Sequence, residues 1–253
     1  MKSNRINQIE EYVLNKNTVT LDTLTDVFNV SKNTIRRDIQ ELIKRGNIKK
    51  VYGGVASNSK LLSPFNENQV KNTYTKGLIA KAASRFVKDG DIIFIDSGTT
   101  TLNMGDFLKD KNNLTIVTNN LTFIMNCLKY TNLNIISTGG TLNRETNSFS
   151  GIDSLNLLKN YNINKAFMNA TGISLTNGVT NSSPLESEIK KIAVKKSSEV
   201  FILADYSKFD ICSLVTYCDL DDIDYLITDK FPPEAYSQLI EKNSIELIVS
   251  EQL

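Results

Sequence analysis

The 253-residue chain predicts an α/β protein in two parts, a small basic helical head followed by a larger, mostly parallel sheet domain. Three observations predict it. Residues 1–60 hold eleven Lys or Arg against six Asp or Glu, and the rest of the chain eighteen against twenty-two, so a net charge of +1 hides a basic head on a mildly acidic body. Apolar residues recur at helical spacing through the head. From about residue 76 short apolar runs alternate with helical stretches, as in parallel sheets covered on both faces. At 40% apolar and 23% charged residues, the chain can bury a core.

Composition also excludes function classes. No apolar run approaches the roughly 20 residues of a membrane-spanning helix. The opening MKSNRINQIEEYVLNKN holds no apolar signal-peptide core, so a cytoplasmic protein without a membrane partner is expected. Cys127, Cys212 and Cys218 are scattered and odd in number, as reduced thiols are. The absence of histidine rules out a His-dependent triad and a His-ligated zinc site. Neither metal nor cofactor is expected.

The head, residues 1–57, has the pattern of a winged helix-turn-helix. Ile6, Ile9 and Val13 mark a first helix. Thr20 offers an N-cap to a second, with Leu21, Leu24, Val27 and Phe28 on one face. Asn29 and Val30 form a short break. Ser31 caps a third helix whose Ile35, Ile39, Leu42 and Ile43 share one side, with Gly46 as its stop. The opposite side carries Asn33, Arg37 and Gln40, with Thr34 beside them, side chains suited to base edges in a major groove. Lys32 and Arg36 flank them, aimed at phosphates, and Ser31 with the helix N-terminus adds backbone donors. A structural helix favours acids at that end; cations there point to a polyanion. The β-branched, basic IKKVYGGV that follows fits a wing carrying Lys49 and Lys50.

Residues 58–75, polar and aperiodic, are expected to be a connector to an effector-sensing domain over 76–253. Strands are expected at 91–96, 114–118, 133–137, 165–170, 200–204, 225–229 and 245–249, a Rossmann-like set. Helices are expected at 77–87, 101–109, 121–130, 150–161, 185–197 and 233–242. Such sheets bind ligands beyond the carboxyl ends of their strands. Polar loops fall there: Ser97-Gly98-Thr99-Thr100 after Asp96, then Thr118-Asn119-Asn120, Gly139-Gly140 with Arg144 nearby, Asn169-Ala170-Thr171-Gly172, and Asp205-Tyr206-Ser207-Lys208. Each alone is an ordinary turn. Together on one rim, their hydroxyl, amide and cationic groups suit a sugar phosphate, with the hydroxyls and amides of 97–100 at a helix N-terminus cradling the phosphate.

SKNTIRRD (31–38) and YGG (52–54) resemble the signature of the DeoR family of bacterial transcription regulators. KGLIAKAA, DGDIIFIDSGTT, LTIVTNN, ISTGG, TGIS, ESEIKK, LADYSKF and IDYLITD continue the resemblance in order over most of the chain. It implies a winged helix-turn-helix that binds double-stranded operator DNA and a sensor domain resembling ribose-5-phosphate isomerase; because one small head offers one recognition helix, a dimer or tetramer is expected. It implies a repressor of sugar catabolism answering to a phosphorylated sugar. By position it assigns 31–38 to recognition and 97–100 to the phosphate. To the effector cleft it assigns Thr118, Asn119, Gly139, Gly140, Glu188, Lys190, Asp205 and Lys208. The connector lacks an arginine frequent in the family, and its wing begins with Lys49-Lys50. The alternative is a sugar-phosphate isomerase-like enzyme using Asp205, Glu188 and Lys208, which needs no histidine. A fused basic head argues against it.

Overall fold

The computed structural model describes residues 2–16, 18–45, 48–51, 53–57 and 72–252. Gly46, expected to stop the third helix, Tyr52 of the wing and residues 58–71 of the connector lie outside them. The chain divides into two units, Met1–Thr73 and Tyr74–Leu253.

In the first unit α1 (Lys2–Lys16), α2 (Leu21–Phe28) and α3 (Lys32–Arg45) enclose a core of Ile6, Ile9, Val13, Leu24, Ile35, Ile39 and Leu42. Val27 departs from expectation and stands exposed. It precedes Phe28 by about 100° of helix rotation, which carries it past the edge of the buried stripe. Strands β1 (Thr18–Thr20), β2 (Ile48–Val51) and β3 (Gly54–Ser57) form an antiparallel sheet in the order β1-β3-β2. Gly54 is required by close approach: a Cβ there would lie 2.2 Å from the Val19 carbonyl oxygen. Gly53 turns the wing with φ 76°.

The second unit opens with α4 (Thr73–Ser84). Its seven-stranded sheet is parallel throughout. The strands are β4 (Ile92–Ile95), β5 (Thr115–Thr118), β6 (Asn134–Ser137), β9 (Ile163–Asn169), β12 (Ser197–Leu203), β14 (Tyr225–Thr228) and β15 (Glu246–Val249). These apolar runs are continuous because both faces are covered. Ile93, Ile95, Phe167 and Phe201 enter one core, and Phe94, Ala166, Met168 and Ile202 the other. The strand order is β15-β14-β12-β9-β4-β5-β6. The chain runs outward from β4 to β6, returns to β9 beside β4, then builds out the other way. The reversal between β4 and β9 opens a crevice at their carboxyl ends.

Helices α5 (Leu121–Cys127), α6 (Ile152–Lys159), α7 (Pro184–Lys196) and α8 (Ser237–Lys242) occupy expected stretches. The stretch after 97–100 differs. It is a seven-residue 3₁₀ helix, Thr101–Phe107, tightened by Asn103 N–H to Thr100 O at 3.2 Å and by the Asn169 carboxamide oxygen taking the Thr101 N–H at 3.3 Å. Two antiparallel pieces were not expected: a hairpin of β7 (Thr141–Asn143) and β8 (Ser148–Ser150), and a sheet of β10 (Gly172–Ser174), β11 (Gly178–Asn181) and β13 (Val215–Cys218). At three or four residues each, with little alternation, they carry almost no period-2 signal.

Cys127 and Cys218 are buried and Cys212 is exposed. Burial pushes the Cys127 thiol up to about 11 and raises Cys218 further still. The reactive form is the thiolate, so a thiol reagent at neutral pH is expected to label Cys212 alone in the folded protein and all three after denaturation. Mass spectrometry reads this directly; prompt labelling of Cys127 in the native protein would contradict it.

Candidate functional site

The exposed face of α3 and the turn before it are set by two caps and a left-handed residue. Thr20 Oγ1 accepts the Thr23 N–H at 3.1 Å to start α2. Asn29, at φ 48°, ends that helix in the left-handed conformation. Ser31 Oγ accepts the Thr34 N–H at 3.3 Å and shares a 2.9 Å hydrogen bond with the Thr34 hydroxyl. The turn thereby sets α3 with Asn33, Arg36, Arg37 and Gln40 in solvent, and Lys49 and Lys50 are exposed on β2. Two expected contacts have partners of their own. Lys32 Nζ donates to Asp22 at 2.5 Å, and Thr34, half-buried, is held by Ser31.

Asp38, within the 31–38 segment, is turned into the core and accepts from Arg5 Nε at 2.8 Å. Arg45 donates to Asn7 at 2.9 Å. These contacts join α3 to α1 and fix the recognition helix. Arg5 therefore belongs to the frame, a role the sequence did not disclose because its partner lies 33 residues away.

In the second unit the expected rim residues divide into groups. After β4, Ser97 and Thr100 are buried and Gly98 and Thr99 half-buried. Gly98 lies against Asn169, where a Cβ would sit 2.1 Å from the side-chain carbon. The amide N–H groups of Ser97, Gly98, Thr99 and Thr100 find no acceptor among the described residues, and Thr100 makes no side-chain cap bond. After β5, Thr118 Oγ1 donates to the Ile95 carbonyl at 2.6 Å, and Asn119 Nδ2 donates to the Phe149 carbonyl at 3.4 Å. After β6, Gly139 and Gly140 have φ 63° and 98°. A Cβ on Gly140 would meet the Ser150 carbonyl oxygen at 2.5 Å.

At the crevice itself lies a buried polar cluster. Lys190, from α7, pairs with Asp96 Oδ2 and donates to the Asn169 carbonyl at 3.2 Å. Asn169 gives Asp96 Oδ2 its backbone N–H at 3.0 Å and its Nδ2 at 3.2 Å, and donates to Thr101 Oγ1 at 2.8 Å. Tyr217 places its ring 5.0 Å from Lys190 Nζ and donates its hydroxyl to the Asn169 carbonyl at 2.6 Å. Burial pushes the Tyr217 phenol well up, so it remains a neutral donor. Asp96, Asn169, Thr101 and Tyr217 stand around Lys190; the sequence placed Asp96 and Asn169 in polar rim loops and the family resemblance named Lys190, whereas Thr101 and Tyr217 were not singled out.

Other expected residues lie apart. Glu188 is exposed and paired with Lys191 at 2.9 Å; the buried acid of α7 is Glu186, which accepts from Ser148 Oγ at 2.7 Å. Asp205 is buried at the end of β12 and accepts the Ser207 N–H at 3.0 Å. Lys208, half-buried, closes the short turn Tyr206–Lys208, and Arg144 is exposed between β7 and β8. Among the described residues no group of acidic, cysteine or histidine side chains could hold a metal ion, and no helix is long and apolar enough to cross a membrane.

A recognition helix and wing carried on the same chain as a parallel sheet domain define a DNA-binding transcription regulator. The DeoR-like helix-turn-helix domain matches residues 5–61 and the DeoR C terminal sensor domain residues 71–230. The chain is 47% identical over 246 residues to the HTH-type transcriptional regulator IolR of Bacillus subtilis (strain 168), covering 97% of this chain and 98% of that one. The HTH-type transcriptional regulator GolR of Listeria innocua is 30% identical over 89% of each chain. The transcriptional repressor AccR of Agrobacterium fabrum is 29% identical over 88% and 87%. The chain belongs to the DeoR family of transcriptional regulators and is not an enzyme.

Proposed function

We propose that this regulator represses a sugar-catabolic operon and that a phosphorylated sugar, bound at the carboxyl rim of the sheet, sets its affinity for operator DNA. One observation carries the effector part. Four successive amides, Ser97 to Thr100, stand without acceptors among the described residues beside the β4–β9 crevice, flanked by three hydroxyls. Backbone donors in succession favour an anion. The 3₁₀ helix behind them adds little aligned dipole, so the amides and hydroxyls themselves are the anchor. Lys208 supplies positive charge and Asp205 a hydroxyl acceptor further along the rim.

Asn33, Arg37 and Gln40 read base edges, and Ser31, Lys32, Arg36, Lys49 and Lys50 meet phosphates, with Lys32 exchanging Asp22 for the backbone. One head presents one recognition helix. A homodimer or tetramer, with half-sites about 34–36 Å or a multiple apart, supplies the length of sequence a genomic address needs.

Thr99→Ala tests the anchor. Its hydroxyl holds no structural bond, so melting should be unchanged, whereas a lost cap would cost about 1 kcal/mol. Calorimetric titration with D-ribose 5-phosphate and D-fructose 6-phosphate should show binding weakened in the variant. Operator DNA should shift ester affinity by the same factor as the ester shifts DNA affinity. A variant that binds the ester as tightly as wild type would show that the phosphate is held elsewhere.

A further inference from the structure

Helix α5 is apolar on both sides. Asn120 Oδ1 starts it by accepting the Phe123 N–H at 3.0 Å. Phe123 and Cys127 then point into the core and are buried. At about 100° per residue, Leu121, Ile124, Met125 and Leu128 share a stripe about 100° wide, centred about 130° from those two. Leu128, just past the last helical residue, keeps helical angles of φ −55° and ψ −28° and so continues the stripe. Leu121 and Ile124 are half-buried, and Met125 and Leu128 are 60% and 64% exposed. The spacing i, i+3, i+4, i+7 is what a helix uses to pack on a neighbour, yet this stripe faces away from the core of its own domain. One exposed leucine is ordinary; a full helical seam turned outward marks an interface.

The charge pattern says what fits the seam. No charged residue stands between Lys111 and Lys129, in a chain that is 23% charged. At the end of the seam Lys129 pairs with Asp106 at 3.2 Å, and the Tyr130 hydroxyl donates to the same carboxylate at 2.6 Å, so the charges there are balanced. A membrane-surface helix flanks its apolar face with Lys or Arg, and a nucleic acid requires cations; Leu121 to Leu128 hold neither. A charged protein partner would find no opposing charge on the seam. A second copy of the chain fits: under two-fold symmetry the stripe meets itself, apolar against apolar, with no like charges opposed.

We propose that α5 packs antiparallel on α5 of a second copy, across a two-fold axis near Ile124 and Met125, so that Leu121 of each copy meets Leu128 of the other. This rests on the homo-oligomer reading above and gives it a surface. A stable pairing buries about 800 Å² on each copy, more than one short helix face supplies. Phe107, 41% exposed on the 3₁₀ helix that packs beside α5, and the edge strand β6, which α5 also touches, extend the contact.

Sedimentation velocity on the full chain tests the seam. Leu128→Glu and Met125→Glu each place a charge at an exposed position, so both should keep the wild-type circular dichroism spectrum. Each should weaken self-association by about a hundredfold or more, because like charges then oppose across the axis, and should halve the mass where the wild type is fully assembled. Leu214→Glu, at a position 73% exposed outside the seam, should leave the assembly intact. In a Cys212→Ser background, Met125→Cys should give a disulfide-linked dimer with copper-phenanthroline, because the axis brings the two copies of position 125 together.

Variants that hold the wild-type mass over the same concentrations would overturn the α5 interface and leave the oligomer reading standing. So would dissociation by Leu214→Glu in place of Leu128→Glu, which moves the interface to another face. Dissociation by the α5 variants without a cross-link at position 125 would overturn the antiparallel arrangement. A wild type that stays monomeric at operator-binding concentrations would overturn both the interface and the oligomer reading.

Discussion

Lys190→Met is expected to destabilise the sheet domain by roughly 3–5 kcal/mol, the largest effect of any single substitution considered, because it strands a buried carboxylate. Asp96 is fully buried and its Oδ2 carries the ion pair with Lys190, beside two donors from Asn169. Removing the ammonium leaves those neutral donors to balance a full charge. Replacing both partners, as Asp96→Asn with Lys190→Met, should recover much of the loss, since a neutral pair costs little to bury. A double-mutant cycle in urea, followed by circular dichroism because the chain has no tryptophan, measures the coupling. A single-variant loss below about 1 kcal/mol would mean that water reaches the pair and that the crevice is wetter than the contacts imply.

Arg37→Ala is expected to cost roughly 1–3 kcal/mol of operator binding and to blur one base position. Arg36→Ala should weaken all sequences alike and lower the salt slope by about 1. Both side chains are exposed on α3, and neither has a hydrogen-bond or ion-pair partner among the described residues. The division of labour comes from their angular positions, with Arg37 on the face of Asn33 and Gln40 and Arg36 on the flank. Anisotropy titrations against a selected duplex and its single-base variants, at several salt concentrations, separate the two roles. Equal loss of specificity in both variants would show that the helix lies in the groove at a different roll.

Much of this arrangement was legible before any contact was known. Ile6, Ile9 and Val13, then Ile35, Ile39 and Leu42, repeat at the helical period and are buried. Thr20 and Ser31 cap where their side chains predicted. The apolar runs around 92–95, 115–118 and 200–203 are strands because both of their faces meet core. The less legible part is α7. Glu186 and Glu188 are about 200° apart on a helix, so only one can face inward. Family position named Glu188, and packing against β8 buried Glu186 beside Ser148.

The sequence by itself determined the local structure, since periodicity, caps and turn residues act within a few positions of the chain. It also placed polar loops after apolar strands and a basic helix at the front. Only the tertiary structure decided which strand ends are neighbours. β4 meets β9 across about 70 residues, and that pairing creates the crevice, seats Asn169 against Gly98 and brings Lys190 to Asp96. The partners of Asp38 and Arg5 were hidden for the same reason. The outward seam of α5 could be recognised only once every neighbour was in place, because Leu121 to Leu128 are apolar nearly all round and only the burial of Phe123 and Cys127 shows which side is left outside.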